Sequence, residues 1–361
     1  MKLTIRLQVL PDANQKAILL ETMGRFNEAA GFAARAGFEA GIFSQPSVHK
    51  LAYREIRDRF GLSAQMAVRA IGKAVECFKR DKTRCPAFKP HGAVTYDERI
   101  LGFKGLDRVS LWTMTGRMVL PLAYGEYQGE RFDRIKGQCD LVHRGGKFYL
   151  YATVDLPEGS PVEVKDFLGV DLGLANIATD SDGDAYSGKP VEDVRRRHNL
   201  QRKRLQRNGT KGARKKLGRV SGKEARFRKH ENHCISKAIV AKAKDTGRGI
   251  AVEDLGGIRD RLPVWAKDAR NRLSGWSFAQ LVDFLSYKAR LAGVPLVKVD
   301  PRNTSRTCAR CGYCSRDNRK SQAKFLCVSC GHAANADGNA AENISALAKS
   351  KLAIGLVDLT V

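Results

Sequence analysis

The chain has no apolar run long enough to span a bilayer and no basic-then-apolar leader at its start, so neither membrane insertion nor export is expected. It shows no internal repeat, which argues against a solenoid or propeller array. Acidic residues are scarce: 38 Asp and Glu stand against 64 Lys and Arg, a formal charge of +26. That deficit favours a polyanionic partner, because each neutralised phosphate releases condensed counterions. Nucleic acid comes before a membrane surface on this ground. With no leader, the nine cysteines suit a reducing compartment, where paired cysteines bind metal more often than they oxidise.

The 361 residues leave room for two or three domains. The opening MKLTIRLQVL alternates, with Leu3, Ile5, Leu7 and Val9 on one side, and reads as a first strand. Residues 11–84 read as helical: Leu19, Met23, Phe26 and Ala30 recur at helical spacing, then Ala67, Ile71, Ala74, Val75 and Phe78, with Ser63 as a candidate cap of the second helix. From Cys85 to Leu156 short strands take over, with turns at Thr115-Gly116 and Gly145-Gly146. A strand, then helices, then strands suggests a small β-barrel over 1–10 and 85–156 with a helical insertion over 11–84. Pro157 to Pro161 (PEGSP) reads as a domain boundary.

Beyond it the pattern is α/β. An apolar strand ends in Asp171, a hairpin follows at Asp182-Gly183, and a second apolar strand ends in Glu253 and Asp254. A helix rich in aromatic and aliphatic residues (Trp276 to Leu291) precedes the strand VPLVKVDP, and a closing helix runs from Gly338 to about Lys351. Between the first strands and Glu253 lies the most basic stretch. Arg195 to Lys229 holds sixteen Arg or Lys against one Glu, Glu224, and reads as long helices or a mobile arm. Self-repulsion at that density would cost stability without a polyanion to offset it. Arg195, Arg196, Arg197, Arg202, Lys203, Arg204, Arg207, Arg214, Lys215 and Lys216 are the candidate nucleic-acid contacts.

Two patterns carry chemistry. Cys308-x2-Cys311, fifteen residues, then Cys327-x2-Cys330 is the spacing of two knuckles that present four thiolates to one structural zinc. Cys314 and His332 are near enough to substitute, while Cys77, Cys85, Cys139 and Cys234 are expected to be small buried hydrophobes. The second pattern is a set of acids at element ends: Asp171, Glu253 and Asp337. If their two strands share a sheet with the last helix beside them, the carboxylates converge and could hold two Mg²⁺ ions across a scissile phosphate. Each acid also has an ordinary reading as a turn residue, a strand end or a helix cap, and Asp254 and Asp300 compete on the same grounds.

The segments GVDLGLANIATDSDG, IAVEDLGG, NTSRTCARCGYCS with FLCVSCGH, and NADGNAAENI occur in that order, and the arrangement over roughly 160–350 resembles the TnpB nucleases of bacterial and archaeal insertion sequences, relatives of the type V CRISPR effectors. The resemblance implies a RuvC-type, RNase H-like nuclease domain over 161–301 and 335–361, split by a zinc ribbon over 302–334. The first acid, in a D-L-G motif, matches Asp171. The second, in E-D/N-L, matches Glu253, and the third, in D-x-N-A-A, matches Asp337. Over 1–156 the layout is similar to the family's wedge-like barrel and helical recognition domain. The implied activity is Mg²⁺-dependent, RNA-guided DNA cleavage by a protein of a mobile element, with structural Zn²⁺, a guide RNA encoded by that element, and double-stranded target DNA bearing a short adjacent motif. The implied setting is prokaryotic cytoplasm, at the nucleoid. Arg302 or Arg306, just ahead of the ribbon, is the candidate to steady the scissile phosphate. An RNA-guided repressor without cleavage and an unguided resolvase or transposase are the alternatives.

Overall fold

The computed structural model describes residues 1–256 and 278–354, which fall into two units, Met1–Leu156 and Pro157–Val361.

In the first unit the alternating start becomes β1 (Lys2–Val9), with Ile5, Leu7 and Val9 buried. Three helices follow, where the periodicity suggested two: α1 (Ala13–Glu39), α2 (Gln45–Phe60) and α3 (Ala64–Arg80). The extra break has a local cause. Gly41 takes a left-handed φ of 66°, and Ser44 caps α2 with a proline in its first turn. Ser63 caps α3 through Met66 N–H. The later strands are β2 (Val94–Tyr96), β3 (Leu101–Lys104), β4 (Arg108–Thr113), β5 (Gly116–Ala123), β6 (Ile135–Arg144) and β7 (Lys147–Asp155), with a single-turn α4 (Glu126–Gly129) after β5. Gly145 and Gly146, both at positive φ, make the two-residue turn between β6 and β7.

These seven strands pair in the order β2-β6-β7-β1-β5-β4-β3. The two edge strands, β2 and β3, are consecutive in the chain, separated only by residues 97–100. The sheet must therefore curl until its edges approach, giving a nearly closed barrel. The Tyr96 hydroxyl spans that seam by donating to the Trp112 carbonyl at 3.0 Å.

The second unit is built on a five-stranded sheet in the order β10-β9-β8-β11-β12. Its strands are β8 (Phe167–Asp171), β9 (Asn176–Asp180), β10 (Ala185–Ser187), β11 (Gly249–Glu253) and β12 (Leu296–Val299). Strands β8, β11 and β12 run parallel, with β12 at the edge, and β9 and β10 pair antiparallel on the other side. Helices α5 (Lys189–Asn208), α6 (Lys211–Val220) and α7 (Lys223–Asp245) join β10 to β11. The expected aromatic helix is described from Phe278, as α8 (Phe278–Ala292); its start at Trp276 lies outside the described residues.

The pleat sorts the core residues. Leu168, Val170, Ile250 and Val252 face α7 and α8 through Ile235, Ile239, Leu281 and Leu285. Phe167, Ala251 and Val299 face the last helix, α9 (Ala336–Ala353), through Ile344 and Ala348. Gly169 lies where α9 crosses β8. A Cβ there would sit 2.0 Å from the Ala341 carbonyl oxygen, so only glycine lets the helix approach this closely. The Ser345 hydroxyl fastens the same crossing by donating to the Phe167 carbonyl at 2.6 Å. This crossing positions the site, because Asp171 lies two residues beyond Gly169 and Asp337 one turn before Ala341.

Candidate active site and metal centre

The segment between β12 and α9 repeats one small motif. In the first knuckle Cys308 N–H donates to the Tyr313 carbonyl and Gly312 N–H to the Cys308 carbonyl; in the second, Cys327 pairs with His332 and Gly331 with Cys327 in the same way. Gly312 and Gly331 both adopt positive φ, which lets each chain turn back after its cysteine pair. A two-stranded sheet, β13 (Lys324–Leu326) and β14 (Ala333–Asn335), and the buried Asn318 hold the segment together. Asn318 bonds three backbone groups, of Arg306, Tyr313 and Val328.

The four thiol sulfurs all lie within 4.8 Å of one another. Cys308–Cys330 and Cys311–Cys327 are 3.7 and 3.6 Å apart, too far for a disulfide. Sulfurs arranged tetrahedrally 2.3 Å from zinc would be separated by about 3.8 Å, so the donor set fits that ion. Cys314 is exposed and outside the cluster, and the half-buried His332 lies outside it too. Of the four scattered cysteines only Cys139 is buried, and burial pushes its thiol up to about 12. Cys77 is half-buried, and Cys85 and Cys234 are exposed, so the expectation of small buried hydrophobes is corrected for these three.

The acids meet at the carboxyl ends of the central strands. Asp171 ends β8 and Glu253 ends β11, and the parallel register (Val170 opposite Val252) sets them side by side. Asp337 enters from the first turn of α9. It is not the helix cap: the Asn335 side chain accepts from the backbone N–H groups of Asp337 and Gly338, leaving the Asp337 carboxylate available. Asn176 Nδ2 donates to it at 3.2 Å. Asp171, Glu253 and Asp337 line one pocket of about 220 Å³, together with Thr304, Arg319 and Gln322. They stand farther apart than the thiols, the only ligand cluster within 4.8 Å among the described residues.

The electrostatics of the pocket follow from this crowding. Burial, then the charges of Glu253 and Asp337, push Asp171 up to about 7. Burial also raises Glu253, opposed by the hydrogen bond from Thr304 and the charge of Arg319. Asp171 therefore opposes folding once ionised. The unfolded carboxyl loses its proton near pH 4 and the folded one near 7, so the cost is absent below 4, grows between 4 and 7, and is complete above. In buffer without Mg²⁺ at pH 8, Asp171→Asn should raise the melting temperature by several degrees, reflecting on the order of 2–4 kcal/mol. The gain should vanish towards pH 4 and shrink when Mg²⁺ is added. Thermal melts across pH with and without metal check this, and an equal gain at pH 4 would refute it.

Competing acids are otherwise occupied. Asp254 is exposed and accepts from Gly256 N–H, and Asp300 accepts from Arg302 N–H. Asp180, Asp182 and Asp184 hold the Lys242 ammonium at 2.6–3.1 Å, and Arg248 forks onto Asp182. Neither Arg302 nor Arg306 lines the pocket. Arg302 is exposed beside Asp300, and Arg306 is exposed as well. The arginine that does line it is Arg319, from the loop between the two knuckles, 3.9 Å from Asp337. No spacing rule in the sequence singles it out.

Residues 152–256 match the family described as "Probable transposase", and 278–344 match "Cas12f1-like, TNB domain". The putative RNA-guided DNA endonuclease InsQ of Escherichia coli (strain K12) is 28% identical over 325 residues, which cover 83% of this chain and 77% of that protein. The TnpB-like protein MJ0751 of Methanocaldococcus jannaschii is 29% identical over 184 residues (47% and 65%). Over these segments the chain is similar to TnpB-type proteins. The CRISPR-associated endodeoxyribonuclease Cas12f1 of Sulfoacidibacillus thermotolerans is 34% identical over 241 residues, 61% of this chain and 54% of that protein. The chain thus spans about half the length of this last relative. In fold, the chain is similar to a Cas12f1 seen in a cryo-EM complex with sgRNA and target DNA. That likeness has a TM-score of 0.62 at 14% identity and covers 95% of this chain and 98% of the other.

The basic stretch of the chain is helical. It runs through α5, α6 and the start of α7, and α5 buries no residue. Arg195 and Arg196 are tied to Glu192 and Asp193 within α5. Arg197, Arg202, Lys203, Arg204, Arg207, Arg214, Lys215 and Lys216 are exposed, with no ion pair among the described residues. No described helix is long and apolar enough to cross a membrane.

Proposed function

We propose that the chain is an RNA-guided DNA endonuclease of a mobile element, and that Asp171, Glu253 and Asp337 are its catalytic carboxylates. The observation that carries this reading is a single pocket lined by three carboxylates and one arginine beside a four-thiol metal site. The three acids offer only hard oxygen donors, which fits Mg²⁺. When bound, the cations would offset the buried negative charge and polarise a phosphodiester for attack by water. Arg319, beside Asp337, would meet the phosphate, a role that passes to it from Arg302 and Arg306.

The strand order, with two acids on adjacent parallel strands, supports a RuvC-type, RNase H-like domain over 161–301 and 335–361, and the knuckle geometry supports a zinc ribbon over 302–334. Zn²⁺ on Cys308, Cys311, Cys327 and Cys330 would be structural. The first unit is the wedge-like barrel (1–10 and 85–156) with its helical recognition insertion (11–84), assigned to the short motif beside the target. The guide RNA would lie along the unpaired cations of α5 and α6, while its free segment pairs with one strand of double-stranded DNA. The work would be done in prokaryotic cytoplasm, at the nucleoid.

The RNA assignment is tested by reversing three of those cations. With Arg202, Lys203 and Arg204 all changed to Glu, RNA retained through purification and DNA cleavage should fall together. The slope of log affinity for RNA against log salt should drop by about 2–3. Unchanged RNA retention would remove these helices from the interface.

A further inference from the structure

Glu253 ends its strand almost fully buried, and a buried carboxylate keeps one orientation only if a neighbour supplies a donor. That donor is the hydroxyl of Thr304, 4% exposed, whose Oγ1 lies 2.5 Å from Glu253 Oε1. The same hydroxyl lies 3.1 Å from the Pro301 carbonyl. It has one proton to give, and the nearer, charged acceptor takes it.

Thr304 is itself fixed from two directions. It follows Asn303, the only non-glycine residue at positive φ (62°) among the described residues. The turn from 303 to 307 is closed by Arg306 and Thr307 N–H donating to the Asn303 carbonyl. From the other side, Asn343 Nδ2 on α9 donates to the carbonyls of Thr304 at 2.8 Å and Thr307 at 2.7 Å. Asn339, one turn earlier, donates to Thr307 and accepts from Ala309 N–H. The helix that carries Asp337 therefore also holds the loop that orients Glu253.

We propose that Thr304 is a positioning residue, fixing the Glu253 carboxylate for metal while Asn343 holds Thr304 in register with α9. This rests on the metal-holding role given to Glu253 above. Loss of a donor that orients a metal ligand commonly costs about 10–100-fold in metal affinity or activity.

The test compares wild type, Thr304→Val, Thr304→Ser and Glu253→Gln as full-length chains with their co-purified RNA. Two quantities are read: Mn²⁺ bound, from the loss of the free-ion paramagnetic signal, and the Mg²⁺ concentration giving half-maximal cleavage. Thr304→Val should raise that concentration about 10–100-fold and weaken Mn²⁺ binding, with zinc content at the wild-type level. Thr304→Ser, which keeps the hydroxyl, should restore both. If Thr304→Val matches wild type while Glu253→Gln is inactive, the positioning role is wrong and the metal site stands. If Glu253→Gln cuts like wild type, the metal-holding role fails and takes this inference with it. Should Thr304→Ser fail alongside the valine variant, the hydroxyl is not what matters and the inference is again overturned.

Discussion

Asp337→Ala is expected to lower DNA cleavage by about 10³-fold or more, equivalent to roughly 4 kcal/mol of barrier, while binding of guide and target stays within a fewfold of wild type. Two features of the site separate cutting from binding. The Asp337 carboxylate is not spent on capping α9, since Asn335 does that, so its loss removes charge from the pocket and leaves the helix start intact. Affinity, by contrast, comes from cations spread along α5 and α6 and from base pairing. Asp337→Asn is the sharper variant, because it keeps the shape and a hydrogen-bonding group beside Asn176 while removing the negative charge. Asp171→Ala and Glu253→Ala should behave alike. Single-turnover cleavage and filter binding on the same preparations check this. Cleavage within tenfold of wild type in any one of the three alanine variants would show that acid to be wrongly chosen.

The second large effect is expected at the thiols. The apolar core of the proposed ribbon is small: Cys308, Phe325, Cys327 and Ala336 form its buried cluster, and two of these are proposed zinc ligands. With so little to bury, the segment would depend on a zinc ion held by the four thiols, which can supply on the order of 10 kcal/mol of folding free energy. Cys308→Ser combined with Cys311→Ser should take zinc from about one ion per chain to none. Cleavage should fall by roughly 10²-fold or more, because Arg319 and Gln322 reach the pocket from this segment and Thr304 stands at its start. Elemental analysis and a cleavage assay measure the two consequences. Zinc persisting in the double variant would refute the ligand assignment.

What could be read from the sequence was what repeats locally or sits at an element's end. The double Cys-x2-Cys spacing, the Gly145-Gly146 turn and the apolar strands ending in Asp171 and Glu253 each rest on a few neighbouring residues. What could not be read depends on contacts between distant segments. Arg319 lies in a loop with no regular pattern and reaches the pocket only because the ribbon folds back over the strand ends. Thr304, Asn339 and Asn343 look like ordinary polar residues until α9 is laid across β8, and Gly169 looks like a weak point in a strand rather than the place where that crossing happens. Arg302 and Arg306 were natural candidates by nearness in sequence, but the turn at Asn303 leaves both in solvent. Asp337 could be taken for a cap because caps and first-turn acids share the same residue types. Only the position of Asn335 separates them. The exposure of Cys85 and Cys234 likewise depends on which way their elements face.

The central claim is that a bound RNA chooses where the carboxylates cut. The most direct measurement is to purify the chain with its RNA, sequence that RNA, rewrite its unpaired segment, and map the ends of DNA cut by the reconstituted complex. The account predicts one dominant RNA species, and cut sites that move to whatever DNA matches the rewritten segment beside the same short motif. RNA-free protein cutting the original sites equally well would contradict it, leaving an unguided nuclease built on the same three acids.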